Sequence, residues 1–415
     1  MKRIAMACTA TLILSACLNG TISAAQQSGG AKQRVAPSQE VQRALTLEQQ
    51  GQYPEAHAAW EGVVKAQPRN GQAYAHLGLL EARQEHYPEA IAHYRKARTL
   101  DASIPQLNLN LGLALFKSDN YQEAAGLFEA ELRKHPKPAD AQRLNVLAGM
   151  SHYGAHEYFA AIPYLKEAAA VDQQNLPLRM TLAHCYLWTK QGDAVMAVYK
   201  EILAISPDSA EADMIAGEAL DGKGDDEGAM QQFRAAGKAN PKEPNVHFLL
   251  AYLLWRRKQF DEAITEFNAE LANDPDNNQA MLYLGDVYVR LGQFATAKEI
   301  LTEAAKYPTS DPLMHLDLGI VYMETDDEND AVQELRKAIE VEPDNVNAHF
   351  RLAKLYHSMG KKDESKAEFA LAKTLTTKMN QDLMKKIETA NAPRAANAAP
   401  AQPPKPSADA KPDQP

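Results

Sequence analysis

The sequence predicts an all-α chain of about ten helix-turn-helix units in tandem, and three observations carry that prediction. One residue pattern returns every 34 residues. Ala56, Ala90, Ala124, Ala161, Val195, Ala229, Ala263, Ala297, Ala331 and Ser365 sit one period apart, with a single three-residue slip before Ala161. Four residues after each stands a bulky side chain: Trp60, Tyr94, Phe128, Leu165, Tyr199, Phe233, Phe267, Leu301, Leu335 and Phe369. Twelve residues before most of them comes a small residue, often after leucine, as in Leu77-Gly78, Leu111-Gly112, Leu284-Gly285, Leu318-Gly319 and Leu352-Ala353. Within a unit the apolar residues keep helical spacing, since Met281, Leu284, Gly285 and Tyr288 fall at i, i+3, i+4 and i+7. Self-similarity at this period means supersecondary units stacked in a row.

Taken in order, the chain opens on an export signal, residues 1–25. Met1-Lys2-Arg3 is a positive start, and the apolar stretch Ile4 to Ala16 is shorter than the roughly 20 residues that span a bilayer. Two processing readings compete. Leu14-Ser15-Ala16-Cys17 matches a bacterial lipobox, which would place a lipid on Cys17, and this is the preferred reading. Ser23-Ala24-Ala25 offers a site for ordinary cleavage. Either way the expected location is the bacterial envelope, as a periplasmic protein or an outer-membrane-anchored lipoprotein. A polar linker, 26–36, holds Gly29 and Gly30.

The repeats run over 37–375. In the eighth unit the first helix ends at Gly292, because glycine enters the left-handed cap freely. Phe294 packs the turn, and Ala297, Leu301 and Ala304 form the inner stripe of the second helix. The ninth unit restates this with His315, Leu318, Gly319, Tyr322, Ala331, Leu335 and Ala338. Small residues such as Gly285 and Ala297 are expected where the two helices cross closely. Pro68, Pro136, Pro207, Pro241, Pro275 and Pro343 close the second helices, where a lost amide bond costs little. Residues 376–390 are expected to form a capping helix, with Leu383 and Ile387 on one face. The tail, 391–415, is rich in Ala, Pro and Lys and is expected to be disordered, with Pro400-x-x-Pro403 and Pro403-x-x-Pro406 read as spacer.

This pattern resembles the tetratricopeptide repeat (TPR) family over about 340 residues. The resemblance implies a superhelical TPR solenoid whose function is binding, and it implies that ligands are gripped by the first helix of each unit at its second, fifth, ninth and twelfth or thirteenth residues. Carried onto this sequence, that register selects Leu109, Leu113 and Phe116 in the third unit, and Val146, Met150 and Tyr153 in the fourth. It selects Met180, His184, Leu187 and Trp188 in the fifth, Phe248, Tyr252, Trp255 and Arg256 in the seventh, and Leu316, Ile320 and Met323 in the ninth. A long exposed apolar patch marks a binding site. In a tightly wound array the same residues also pack between first helices, and sequence alone leaves both readings open. Glu211, Glu218 and Asp221 interrupt the stripe in the sixth unit. The groove would suit a ligand with apolar anchors and one basic group. Departures from the family pattern are local: Ser365 replaces alanine, Glu81 stands in an aromatic position, Arg43-Ala44 replaces Leu-Gly, and the insertion falls near His135-Pro136-Lys137-Pro138. The Lys and Asn pattern that clamps a C-terminal carboxylate in some relatives is absent.

The remaining chemistry is sparse. Net charge is −10, about −12 without the signal, with no basic run, which disfavours nucleic acid as a partner. Beyond Cys8 and Cys17 only Cys185 remains, so no internal disulfide is expected, and Cys185 reads as a packed helix residue. Asp221-x-Lys223-x-Asp225 begins like a calcium loop but lacks its glycine and closing glutamate. His152 and His184-Cys185 could approach one another between units, yet no His-Glu-x-x-His spacing exists, and no metal or cofactor is expected. Ser118-Asp119-Asn120 and Ser358-Met359-Gly360-Lys361 are fragments of a β-lactamase motif set without its third element. The expectation is a non-catalytic scaffold binding a protein or peptide, with membrane contact only through an N-terminal lipid. The alternative is a periplasmic binder of a glycan or similar ligand, stacked on Tyr153, Trp188, Tyr252 and Trp255.

Overall fold

The computed structural model describes residues 39–391, apart from 135, 309, 310 and 326. The predicted signal, lipobox, linker and Pro-rich tail lie outside the described residues, save for the tail's first residue. Twenty helices and no strand are present among the described residues. They alternate as first and second helices of ten pairs: α1 (Gln39–Gln49) with α2 (Tyr53–Ala66), α3 (Gly71–Arg83) with α4 (Tyr87–Leu100), α5 (Leu107–Lys117) with α6 (Tyr121–Leu132), and α7 (Pro138–Gly154) with α8 (Tyr158–Val171). Then follow α9 (Leu176–Trp188) with α10 (Gly192–Ile205), α11 (Ala210–Gly222) with α12 (Asp226–Ala239), and α13 (Val246–Arg256) with α14 (Phe260–Asn273). Last come α15 (Asn278–Arg290) with α16 (Phe294–Ala304), α17 (Pro312–Glu324) with α18 (Glu328–Val341), and α19 (Val346–Ser358) with α20 (Lys362–Asn391). Two compact units divide between Leu253 and Leu254, within α13.

The period visible in the sequence recurs in the backbone. Left-handed residues end the first helices at Gly51, Glu85, Asp119, His156, Lys190, Gly224, Lys258, Gly292 and Gly360. Gly292 fulfils the expected cap, with φ of 72°. At the other end, Asn70, Asn175, Ser209, Asn277 and Asn345 cap first helices by accepting an amide N–H three residues on. The three-residue slip is absorbed by α7, which has 17 residues where α9 and α15 have 13.

Each pair is closed by the small and bulky residues of the repeat. Ala56, Ala90, Ala124, Ala161, Val195, Ala229, Ala263, Ala297 and Ala331 are all fully buried. The glycine of the first helix receives the bulky residue sixteen positions later rather than the alanine facing it in the expected crossing. A methyl added to Gly78 would lie 2.8 Å from the Tyr94 ring, and one on Gly112 would lie 2.7 Å from Phe128. Gly149 and Gly319 stand in the same relation to Leu165 and Leu335, each at 2.7 Å, and Gly285 meets Leu301 more closely still. Ser365 fits the alanine position because its hydroxyl donates to the carbonyl of Ala353 at 2.9 Å. Within each unit, successive first helices also touch one another, as α9 does α11 and α15 does α17.

The C-terminal end differs from expectation. No separate capping helix follows residue 375. Helix α20 runs unbroken to Asn391, and Leu383 and Ile387 face solvent rather than the core. Nothing in residues 372–380 interrupts helix formation: the stretch has neither Pro nor Gly.

Candidate functional site

The register taken from the first helices sorts into three environments. Phe116 and Met150 are 5 % and 3 % exposed, so they belong to the core and offer a ligand no surface. Phe116 packs edge-on against Tyr121 at 5.2 Å, filling the space between a first helix and its own turn. Met180, Leu316 and Ile320 are likewise buried. Leu113, Tyr153, His184, Phe248, Tyr252 and Trp255 are half-buried, while Trp188 and Arg256 are exposed. First-helix contacts between neighbouring pairs cause the burial, because each such side chain also fills the gap to the next pair.

In the N-terminal unit three successive pairs bring aromatic and acidic groups together. Tyr158 opens α8 and stacks on Trp188, the last residue of α9, with ring centroids 6.0 Å apart and planes 17° apart. Tyr153 lies 5.8 Å from Tyr158 on the other side. Trp188 keeps 55 % of its surface exposed. One turn back, His184 Nε2 is 3.2 Å from Glu211 Oε1 on α11. Glu218, two turns along α11, has an exposed side chain, yet surrounding protein raises its carboxyl pKa through burial, eased by His184 and reinforced by Asp221. Solvent contact combined with a surrounding protein wall is the property of a group standing in a concavity. Burial also raises the Tyr153 phenol.

Trp255 belongs to a different environment in the C-terminal unit. Its indole N–H donates to Asp286 Oδ2 at 2.5 Å, and its ring lies 4.8 Å from Tyr283. The Arg290 guanidinium sits 5.5 Å over that ring and donates to the same Asp286. These contacts knit α13 to α15, so Trp255 is part of the packing between pairs. Trp255, selected by the register as a groove residue, is held by these packing contacts, so its truncation should cost stability. Asp317 on α17 stands beside Asp286, and both are 2 % exposed. Burial first, then the Asp286 charge, hold Asp317 well above the carboxylate range, and no donor from another residue reaches its Oδ2.

Sequence reasoning missed a set of buried and half-buried carboxylates held by histidines. Glu48 accepts from Trp60 at 3.1 Å and pairs with His76 Nδ1 at 2.8 Å. Glu81, the residue in the aromatic position, bridges His57 at 2.6 Å and His86 at 3.0 Å. Glu129 holds His152 and the Tyr164 hydroxyl, each at 2.9 Å. Burial alone would raise Glu48, Glu81 and Glu129, but the bonds from their partners outweigh it and lower all three. A signal existed: His315 and His349 are one period apart, and so are their partners Glu334 and Glu368, each at 2.6 Å. His152 is thus committed to glutamates rather than to His184 and Cys185. Among the described residues, no cluster of His, Cys, Asp and Glu has a metal-binding arrangement. Cys185 is fully buried, with its thiol pushed up to about 12 by burial.

Comparison with known proteins agrees with the helical pairs. A tetratricopeptide repeat profile matches residues 41–105, 109–173, 248–312 and 282–338, more than half of the chain. The chain belongs to the tetratricopeptide repeat family. Further profiles of that family match 152–219, 327–360 and 346–378, so the TPR pattern continues to α20. Among curated relatives, anaphase-promoting complex subunit 3 of Schizosaccharomyces pombe is 21 % identical over 314 residues, 74 % of this chain and 45 % of the relative. The CTR9 homolog of Arabidopsis thaliana is 22 % identical over 301 residues, 70 % of this chain and 27 % of the relative. The TPR chain therefore spans less than half the length of these relatives. Solved structures similar to this chain include a tetratricopeptide repeat protein from Parabacteroides merdae, 18 % identical, covering 60 % of this chain and 96 % of that one with a TM-score of 0.43.

Proposed function

We propose that this TPR protein is a non-catalytic scaffold of the bacterial cell envelope, capturing a protein or peptide on the first-helix face of its N-terminal unit. The observation that carries the reading is the Trp188 platform: a half-exposed indole stacked on Tyr158, beside His184, Glu211 and Glu218. An ordered aromatic with a free face offers a large contact area at little entropic cost, and such residues dominate binding energy at interfaces. The flanking carboxylates favour a partner with one basic group next to an apolar anchor. Family membership supports the scaffold reading, as do relatives named as parts of assemblies, such as anaphase-promoting complex subunit 3 and the BBSome complex member of Drosophila melanogaster. Residues 1–25 supply the export signal, with Cys17 as the proposed lipid site.

Capture from envelope extract, read by mass spectrometry, tests this. Trp188→Ala should weaken recovery of the partner about tenfold, the effect of truncating a hot-spot aromatic, while thermal unfolding stays within about 1 °C of the parent. Equal recovery with both proteins would end the proposal for this face. A large loss of thermal stability would instead make Trp188 a packing residue.

A further inference from the structure

Eight of the twelve large hydrophobic side chains exposed among the described residues lie between Val341 and Ile387. The concentration has a structural origin. The face of α20 that packs on α19 buries Ala372 and Leu375 and then runs past the end of α19. From Thr377 to Glu388 every described side chain is exposed. Met379, Leu383 and Ile387 continue that face at i, i+4 and i+8, with Met384 beside them, and each keeps between 43 and 58 % of its surface exposed. At the root of this stripe is a groove lined by Val346, Phe350, Phe369, Lys373 and Thr376. The groove shares the helix face of the stripe, since 369, 373, 376, 380, 384 and 387 are spaced by fours and threes. The 16 helical residues beyond Leu375 extend about 24 Å, and a helix of that length is marginal when nothing packs on it. A contiguous run of exposed apolar side chains marks an interaction surface.

We propose that a second copy of this chain covers it, by antiparallel pairing of the two α20 extensions about a two-fold axis at Leu383. The charges on the extension select this occupant. Asp382 and Lys386 lie on the same flank of the apolar stripe, four residues apart. In an antiparallel pair centred on Leu383, Asp382 comes within about 3 Å along the axis of Lys386 of the partner subunit, and the reverse pair forms by symmetry. Met379 faces Ile387 of the partner subunit in the same register. An isologous contact needs one surface that is complementary to itself, and this stripe meets that requirement in both apolar and charged positions. The extension carries Lys378, Lys385 and Lys386 against Asp382 and Glu388, so two copies meet without strong repulsion. The partner's helix end then comes opposite Leu375 and Thr376, at the near end of the groove. The chain's own segment after Asn391 has no Leu, Ile, Val, Met or aromatic residue with which to fill that groove.

The test is sedimentation of the full chain between 1 and 100 µM, with charge-reversed variants. The parent should dimerise. Asp382→Lys alone and Lys386→Asp alone should each associate roughly tenfold or more weakly, because two attractive exposed pairs per dimer become repulsive. An equimolar mixture of the two variants should recover the parent affinity as a heterodimer. Leu383→Glu should be monomeric, with unchanged helicity by circular dichroism. As an independent readout, Leu383→Cys should cross-link to itself on oxidation. A parent that stays monomeric throughout the range overturns the proposal. So does a dimer indifferent to Leu383→Glu, or variants that fail to recover on mixing. If α20 pairs instead with a different protein, the isolated chain remains monomeric, and the proposal falls with it.

Discussion

Five non-glycine residues, Glu85, Asp119, His156, Lys190 and Lys258, occupy the left-handed position that Gly292 occupies without strain. Each pays for a side chain that crowds its own carbonyl, about 1–2 kcal/mol, partly offset because glycine is floppier in the unfolded chain. Lys190→Gly should therefore stabilise the N-terminal unit by roughly 0.5–1 kcal/mol in urea titration, with an unchanged slope. A second single-residue effect concerns Asp317. Its carboxyl is raised on folding, so the folded chain keeps a proton that the unfolded chain loses near 3.8. That contribution is complete below 3.8 and disappears as pH rises through the folded value. Glu48, Glu81, Glu129 and Glu334 have the opposite sign: lowered on folding, they stabilise above 4.5 and lose that contribution as pH falls through their folded values. Asp317→Asn should thus raise stability relative to the parent by on the order of 1–3 kcal/mol at pH 8, with little effect at pH 4. Equal effects at both pH values would mean that Asp317 is ionised in the fold.

At the scale of the helical pair, the decisive contact joins a glycine of the first helix to a bulky residue sixteen positions on. Gly285→Leu should overpack the crossing of α15 on α16, costing about 1–3 kcal/mol in thermal or urea unfolding. This level of the structure was the most legible in the sequence, since 34-residue spacing and small-bulky alternation are properties of residue order alone. Gly292, Cys185 and Ser365 took the places their neighbours dictated. The site was less legible, for a geometric reason. Whether Phe116, Met150 or Trp188 is covered depends on how closely one first helix approaches the next, and residue order within a single unit does not fix that distance. Trp188 stays exposed because it ends its helix, whereas Phe116 lies where Tyr121 closes over it. The break expected after 375 failed for another cause: the repeat stops, but helix propensity does not.

For the molecule as a whole, stability comes from many similar local contacts, as in other quasi-one-dimensional arrays. No disulfide joins distant parts among the described residues. Among the described residues, no helix is long and apolar enough to cross a membrane. If Cys17 carries lipid, the parent should fractionate with membranes and Cys17→Ala should not. An unmodified mature N-terminus at Gln26 would show ordinary cleavage instead. The sealed thiol of Cys185 has a further use. It lies on the buried face of α9, out of reach of a reagent until that helix parts from its neighbours. The rate at which a thiol probe marks this one position, followed peptide by peptide, is therefore a clock for spontaneous opening of the N-terminal unit. Any partner docked across Trp188 on the same helix should slow that clock.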